Sequence, residues 1–311
     1  MTASHKPKPQ AEQVAAWLAE QHDGAVSKLA PLKGGFWSSA FSYSVGNSDY
    51  VLRLSEIAEG FAIDKAAMRF ASALIPVPEV VAIGEALGLH YAISRRHYGR
   101  FLETITIDEA PAAGTALATL LQAMRAAKPL PNESVVWYEP QNPLTWRDWL
   151  KGGLGDNAES PVGSDPRLDR IFKTSVARID ELLPACPERR DLIHGDLLHQ
   201  NVLVNEDAQE ITAVFSWKCS ARGDFLYDVA WCTFWGNWFP AIAQLDLWQR
   251  TLNAPDLNKD DLKDASLRHH CYELQIAASH FGWFVWTGED EQLAKLADVV
   301  EQVLERGPLA A

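Results

Sequence analysis

The run "LIHGDLLHQNVLV", residues 192–204, decides how this chain is read. It holds His194-Gly195-Asp196 and, five residues after the aspartate, Asn201 at the head of the apolar run "NVLV". A carboxylate on such a loop can orient and deprotonate a hydroxyl, and an amide oxygen nearby can ligate a divalent cation. Those are the two needs of phosphoryl transfer, where catalysis is mostly positioning and charge stabilisation. A turn that merely contains these residue types would not also be followed by a strand and a second motif. That motif is "VFSWKCSARGDFLYDVAW", residues 214–231, with Asp224 and Asp228 four apart.

The remaining sequence sets bounds on the partners. The 311 residues carry a net charge of −13, with 47% hydrophobic and 22% charged residues, as in ordinary globular proteins. The acidic balance speaks against a nucleic-acid backbone or an anionic membrane and suits a cationic ligand, besides serving solubility. Residues 1–97 hold 9 Lys/Arg and 9 Asp/Glu, so the whole excess lies in residues 98–311. The four cysteines, Cys186, Cys219, Cys232 and Cys271, form no CxxC pair, which fits a reduced, cytoplasmic protein. "MTASHKPKPQ" lacks the apolar core of a secretion signal, and no apolar run reaches membrane-spanning length.

Patterning divides the chain into a β-rich N-terminal part, 1–97, and a mainly helical part, 98–311. "FSYSVGNSDYVLRL", residues 41–54, reads as a hairpin around "GNSD", with a helix over 61–73 and strands in "PVPEVVAIGEA" and "LHYAISRR". The expected order of the first part is strand, strand, helix, strand, strand. Beyond residue 104, Leu117, Leu120, Leu121 and Met124 recur at helical spacing. Asp165 is placed to cap a helix that has Pro166 at its first position and Leu168, Ile171, Phe172, Val176, Ile179 and Leu183 on one face. "NVLV" and "ITAVF" read as two short strands, and a helix starts near "DFLYDVAW". The fold class is therefore α+β, with a small antiparallel-β lobe containing one helix, a larger helical lobe and a cleft between them.

Together, "HGDLLHQNVLV" and "ITAVFSWKCSARGDFLYDVA" resemble the catalytic core of the aminoglycoside phosphotransferase family, a group with a protein-kinase-like fold. "YVLRLSEIAEGF", "FASALIPVPEV", "ISRR" and "TWRDW" extend the likeness, chiefly to hygromycin-type members, over roughly residues 30–240. The resemblance implies ATP or another nucleoside triphosphate, Mg²⁺, and a small cationic hydroxylated acceptor. It makes Asp196 the catalytic carboxylate, Asn201 a Mg²⁺ ligand and His194 a brace. Arg53 takes the place of the lysine that kinases put on the α/β-phosphates, with Asp64 as its candidate partner. "KGGFWSSAF" would form the turn over the phosphates, Ser38 and Ser39 reaching them, and Ser94, Arg95 and Arg96 would form the adenine-binding hinge. Asp224 and Asp228 would be structural carboxylates behind the loop.

The departure is Ser216. Relatives carry a metal-binding Asp where this chain reads Phe215-Ser216-Trp217, and Mg²⁺ usually takes one or two carboxylates. Lys218 adds positive charge nearby, opposing the ion or partly standing in for it. Leu198-His199-Gln200 replaces a common His-Pro-Gly. Acceptor candidates in the helical part are Trp231, Trp235, Trp238, Trp283 and Trp286, about half of them expected in the core, with Asp148 and Glu289 or Asp290 as acidic groups. Three readings follow: an antibiotic kinase, a kinase of another hydroxylated compound, and an impaired nucleotide- or ligand-binding relative.

Overall fold

The computed structural model describes residues 6–139, 142, 144–154, 160–163 and 165–310. In chain order the first elements are α1 (Ala11–Gln21), β1 (Val26–Leu32), β2 (Ser38–Val45), β3 (Ser48–Ser55), α2 (Glu59–Ala67), β4 (Val80–Ala86), β5 (Leu89–Arg95) and β6 (Arg100–Phe101). Then come α3 (Ala110–Ala126), α4 (Trp146–Gly152), α5 (Pro166–Leu182), β7 (Asp191–Ile193), β8 (Val202–Val204), β9 (Ile211–Val214) and β10 (Ala221–Gly223). Five helices close the chain: α6 (Leu226–Trp235), α7 (Pro240–Ala243), α8 (Leu247–Leu252), α9 (Ala265–Thr287) and α10 (Asp290–Arg306).

These elements form two compact units. The sheet unit comprises Ala3–Thr104 and Leu198–Cys219, and the helical unit holds Ile105–Leu197 and Ser220–Ala311. Residues 198–219, grouped by sequence with the helical part, thus pack with the sheet.

Among the described residues the sheet unit has a five-stranded antiparallel sheet, ordered β1-β2-β3-β5-β4. The β2–β3 hairpin pairs Ser38 with Ser55 through Val45 with Ser48, with Gly46 in the turn at φ 58°. Phe41, Tyr43, Leu52, Leu54 and Ile93 form a core with Val14 and Leu18, which recur four residues apart on α1. Ala92, next to Ile93, packs with Phe61 of α2 and Val80 instead. Neighbouring strand residues face opposite ways, so α1 and α2 cover opposite faces of the sheet. Strands β6, β8 and β9 form a second, three-stranded sheet.

Two elements correct the expected order. Helix α1 and strand β1 precede the hairpin, giving the sheet a fifth strand and the unit a second helix. β1 hides its pattern: it contains Pro31, a register shift between Ser27 and Ala30, and Lys28 at φ 54°. Proline and bulges are tolerated on an edge strand, which is where β1 lies. Helix α2 also stops at Ala67, earlier than the expected 73, and a 3-10 turn over Met68–Phe70 follows.

In the helical unit α9 is buried along most of its 23 residues, with α5, α6 and α10 packed around it. Asp165 caps α5 as expected, accepting the N–H groups of Arg167 and Leu168 at 2.8 and 3.0 Å. No helix among the described residues is long and apolar enough to cross a membrane.

Candidate active site

The loop that follows β7 is fixed from behind. Asp228, in the first turn of α6, accepts the backbone N–H of His194 at Oδ2 and that of Gly195 at Oδ1, both at 2.8 Å. Gly195 sits at φ 72°, so the chain turns back sharply, and the Asp196 N–H donates to His194 Nδ1 at 3.2 Å. His194 is fully buried and Asp196 half-buried, so the loop presents the aspartate on a rigid turn. Asp224 is likewise structural. Its carboxylate receives two 2.7 Å bonds from Arg268 and one from Tyr272 Oη at 2.7 Å, tying the start of α6 to α9.

Burial pushes the Asp228 carboxyl up to about 7; the two backbone donors pull it back, and the Asp196 charge pushes it further up. Between the ordinary value of 3.8 and about 7 the folded chain therefore holds a proton that the unfolded chain has lost. Stability from this group is full below that window and falls as pH rises through it. Asp228→Asn is expected to flatten this part of a Tm-against-pH curve. It should also lower kcat roughly 10-fold, because a carboxamide cannot accept both loop N–H groups.

From Asp196 to Asn201 the chain passes from the helical unit into the sheet unit, after Leu197. His199 and Gln200 both adopt left-handed backbone, φ 58° and 69°, and Glu103 Oε1 accepts the Gln200 N–H at 2.5 Å. The Asn201 carbonyl accepts the Phe215 N–H at 3.0 Å, which brings Asn201 beside the turn that carries Ser216. Ser216 is at φ 68°, a conformation in which Asp and Asn are enriched.

Arg53 and Asp64 meet as the sequence suggests. Nη2 of Arg53 on β3 lies 2.6 Å from Asp64 Oδ2 on α2, and the guanidinium stacks over Phe61 at 5.0 Å. The other oxygen, Oδ1, accepts the Trp217 N–H at 2.8 Å. One nearly buried carboxylate thus joins β3, α2 and the turn at Ser216. Lys218 Nζ bonds Glu59 Oε2 at 2.7 Å on the exposed side of α2, so its ammonium is engaged there.

The glycine turn connects β1 to β2, with Gly34 and Gly35 at φ 104° and 72°. Ser38 opens β2, half-buried, while the buried Ser39 hydroxyl donates to the Pro7 carbonyl. At the expected hinge, Ser94 is buried on β5, opposite Val51. The Arg95 N–H goes to the Glu79 carbonyl at 2.8 Å and the Arg96 N–H to the Asp49 carbonyl at 2.9 Å.

The sequence model described as "Phosphotransferase enzyme family" matches residues 28–262. The chain belongs to this phosphotransferase family. A curated relative from Escherichia coli, hygromycin-B 4-O-kinase, is 36% identical over 255 residues, covering 77% of this chain and 71% of the relative. The crystal structure of aminoglycoside phosphotransferase APH(4)-Ia superposes with a TM-score of 0.83 at 30% identity, covering 95% of this chain and 99% of that one. A thermostable mutant of that enzyme, in a ternary complex with AMP-PNP and hygromycin B, gives 0.79 at 30% identity and covers 94% and 98%. The fold is therefore kinase-like α+β, and the chain is a phosphotransferase of the class that acts on hydroxyl groups.

As a phosphotransferase it departs from the usual donor set for Mg²⁺. Near the turn at Ser216 the sheet unit offers the Asn201 carboxamide and a serine hydroxyl, the nearby carboxylate, Asp64, being engaged by Arg53 and the Trp217 N–H. No cluster of three His, Cys, Asp or Glu side chains able to hold a metal occurs among the described residues. A carboxamide and a hydroxyl at positions 201 and 216 are a poorer fit to Mg²⁺, which dehydrates reluctantly, than a carboxylate would be.

The acceptor candidates of the phosphotransferase separate into groups. Trp231 and Trp235 are buried on α6, while Trp238 is half-buried, 4.8 Å from Trp235. Trp238 already carries a cation, with Lys295 Nζ 4.9 Å from its ring, and its Nε1 donates to Gln292 at 2.8 Å. Trp283 pairs with the exposed Trp286 at 5.3 Å, and Glu289 precedes α10. Asp148 is exposed and engaged in a capping box with Thr145 at the start of α4. Sequence reasoning missed Glu103 and Lys6, whose contacts with Gln200 and Gly34 are long-range and leave no local signal.

Proposed function

We propose that this chain is an ATP-dependent aminoglycoside phosphotransferase that moves the γ-phosphate to a hydroxyl of a hygromycin-type acceptor. The observation that carries the reading is the braced loop presenting Asp196, in a chain 36% identical to a hygromycin-B 4-O-kinase. In this reading Asp196 orients the acceptor hydroxyl and takes its proton as attack begins. Arg53, held by Asp64, offers donors in a fixed fork to the nucleotide phosphates, and Ser38 and the segment 94–96 border the nucleotide. The acceptor is a polyhydroxylated cation, matched by the acidic excess of residues 98–311 and by the half-buried Trp283 and Glu289, whereas Trp235 is buried and the Trp238 ring is taken by Lys295. A cytoplasmic location, where thiols stay reduced, accords with four cysteines that form no disulfide.

The test is direct. Purified protein with ATP, Mg²⁺ and a panel of aminoglycosides is expected to yield phosphorylated hygromycin B faster than any other product, read by mass spectrometry. No turnover of any panel member would sink the reading. One observation favours a second one: Ser216 in place of the carboxylate suits an impaired, nucleotide-binding relative. That protein would show a rise in Tm with nucleotide and no product.

A further inference from the structure

We propose that Lys6 is a further nucleotide-binding residue, carried to the glycine turn by an N-terminal arm. This rests on the kinase reading above. Residues 6–10, Lys-Pro-Lys-Pro-Gln, have no regular structure of their own, yet both ends are held. Gln10 caps α1, its carbonyl accepting the N–H groups of Gln13 and Val14 at 3.1 Å, and Val14 is locked into the sheet core. Pro7 and Pro9 restrict the backbone between, so little entropy is lost in holding it extended. Along the arm, the Pro7 carbonyl accepts the Ser39 hydroxyl and Lys6 Nζ donates to the Gly34 carbonyl at 2.5 Å.

That carbonyl belongs to the turn expected to cover the phosphates. The turn in turn rests on the loop leading to Asn201: a Cβ added at Gly34 would lie 2.6 Å from Gln200 Oε1. Lys6 therefore brings a compact positive charge to a backbone turn that rests on Gln200, the residue before Asn201. Two left-handed glycines and an ammonium make a suitable cradle for a polyphosphate. The charge counts for more here, because Arg53 is balanced by Asp64 and residue 216 is a neutral serine.

The experiment measures ATP and ADP dissociation constants by calorimetry for the unaltered chain, Lys6→Gln and Lys6→Arg, at two salt concentrations. Gln keeps a donor for the Gly34 carbonyl and removes the charge. Lys6→Gln is expected to weaken ATP binding roughly 10-fold, as for a charge-assisted contact, and to shallow the salt dependence. Tm and the KM for acceptor should stay put, and Lys6→Arg should bind like the parent. Unchanged ATP affinity in Lys6→Gln, or equal loss in Gln and Arg, overturns the proposal while leaving the kinase reading intact. If the unaltered chain binds no ATP, both fall.

Discussion

Ser216→Asp is expected to raise Mg²⁺-dependent phosphoryl transfer at least about 10-fold, a change worth roughly 1.4 kcal/mol in the barrier. The backbone is already suited to it. Residue 216 sits at φ 68°, where Asp is more at ease than Ser, so the substitution should not lower Tm. The turn is held from two sides, by Asp64 accepting the Trp217 N–H and by Asn201 accepting the Phe215 N–H. A carboxylate introduced there meets a fixed frame beside Asn201, and the full negative charge that Mg²⁺ seeks is restored. Transfer rates measured across a Mg²⁺ titration should show both a higher plateau and a lower midpoint. Ser216→Asn separates charge from conformation: it shares the left-handed preference and should gain nothing. An already active parent that Ser216→Asp leaves unchanged would show that the serine is no handicap.

Asp196→Asn should lower kcat by about 10²–10⁴-fold, the usual contribution of a positioned general base. KM values and Tm should barely move, because the loop has strong anchors elsewhere. Its anchors are Asp228 on the N–H groups of His194 and Gly195, and His194 Nδ1 on the Asp196 N–H. Steady-state kinetics on the two variants should therefore differ in kind. Asp196→Asn loses kcat and, by removing the charge that helps push the Asp228 carboxyl up, only narrows its pH-dependent stability, while Asp228→Asn loses kcat together with the whole of it. Residual kcat within about 3-fold of the parent would remove Asp196 from the chemistry.

Where the sequence was legible, the signals were local. The turn residues around Gly46 set the hairpin, and Asp165-Pro166 set the start of α5. The Arg53–Asp64 pair was legible only through the family resemblance, which made Asp64 the candidate partner. Long-range pairings left no such trace. The return of residues 198–219 to the sheet unit depends on β8 pairing with β6, about 100 residues earlier. Lys218 and Glu59 are 159 residues apart, and Lys6 lies in a charged, proline-rich stretch that resembles any solvated terminus. The tryptophans of α6 were ambiguous for another reason: Trp231 and Trp235 recur at a spacing that serves a core as well as a stacking surface, and both are buried.

The anchoring of the loop by α6 bears on how this chain can change over time. Every residue of α6 except Thr233 is buried, and Asp228 reaches from it to the loop that carries Asp196. Mutations there strike folding and chemistry together, so that region has little freedom to drift. Trp286, Val285 and Asp290, around the junction of α9 and α10, are exposed and carry no such double duty. Such positions can change without touching the loop that presents Asp196.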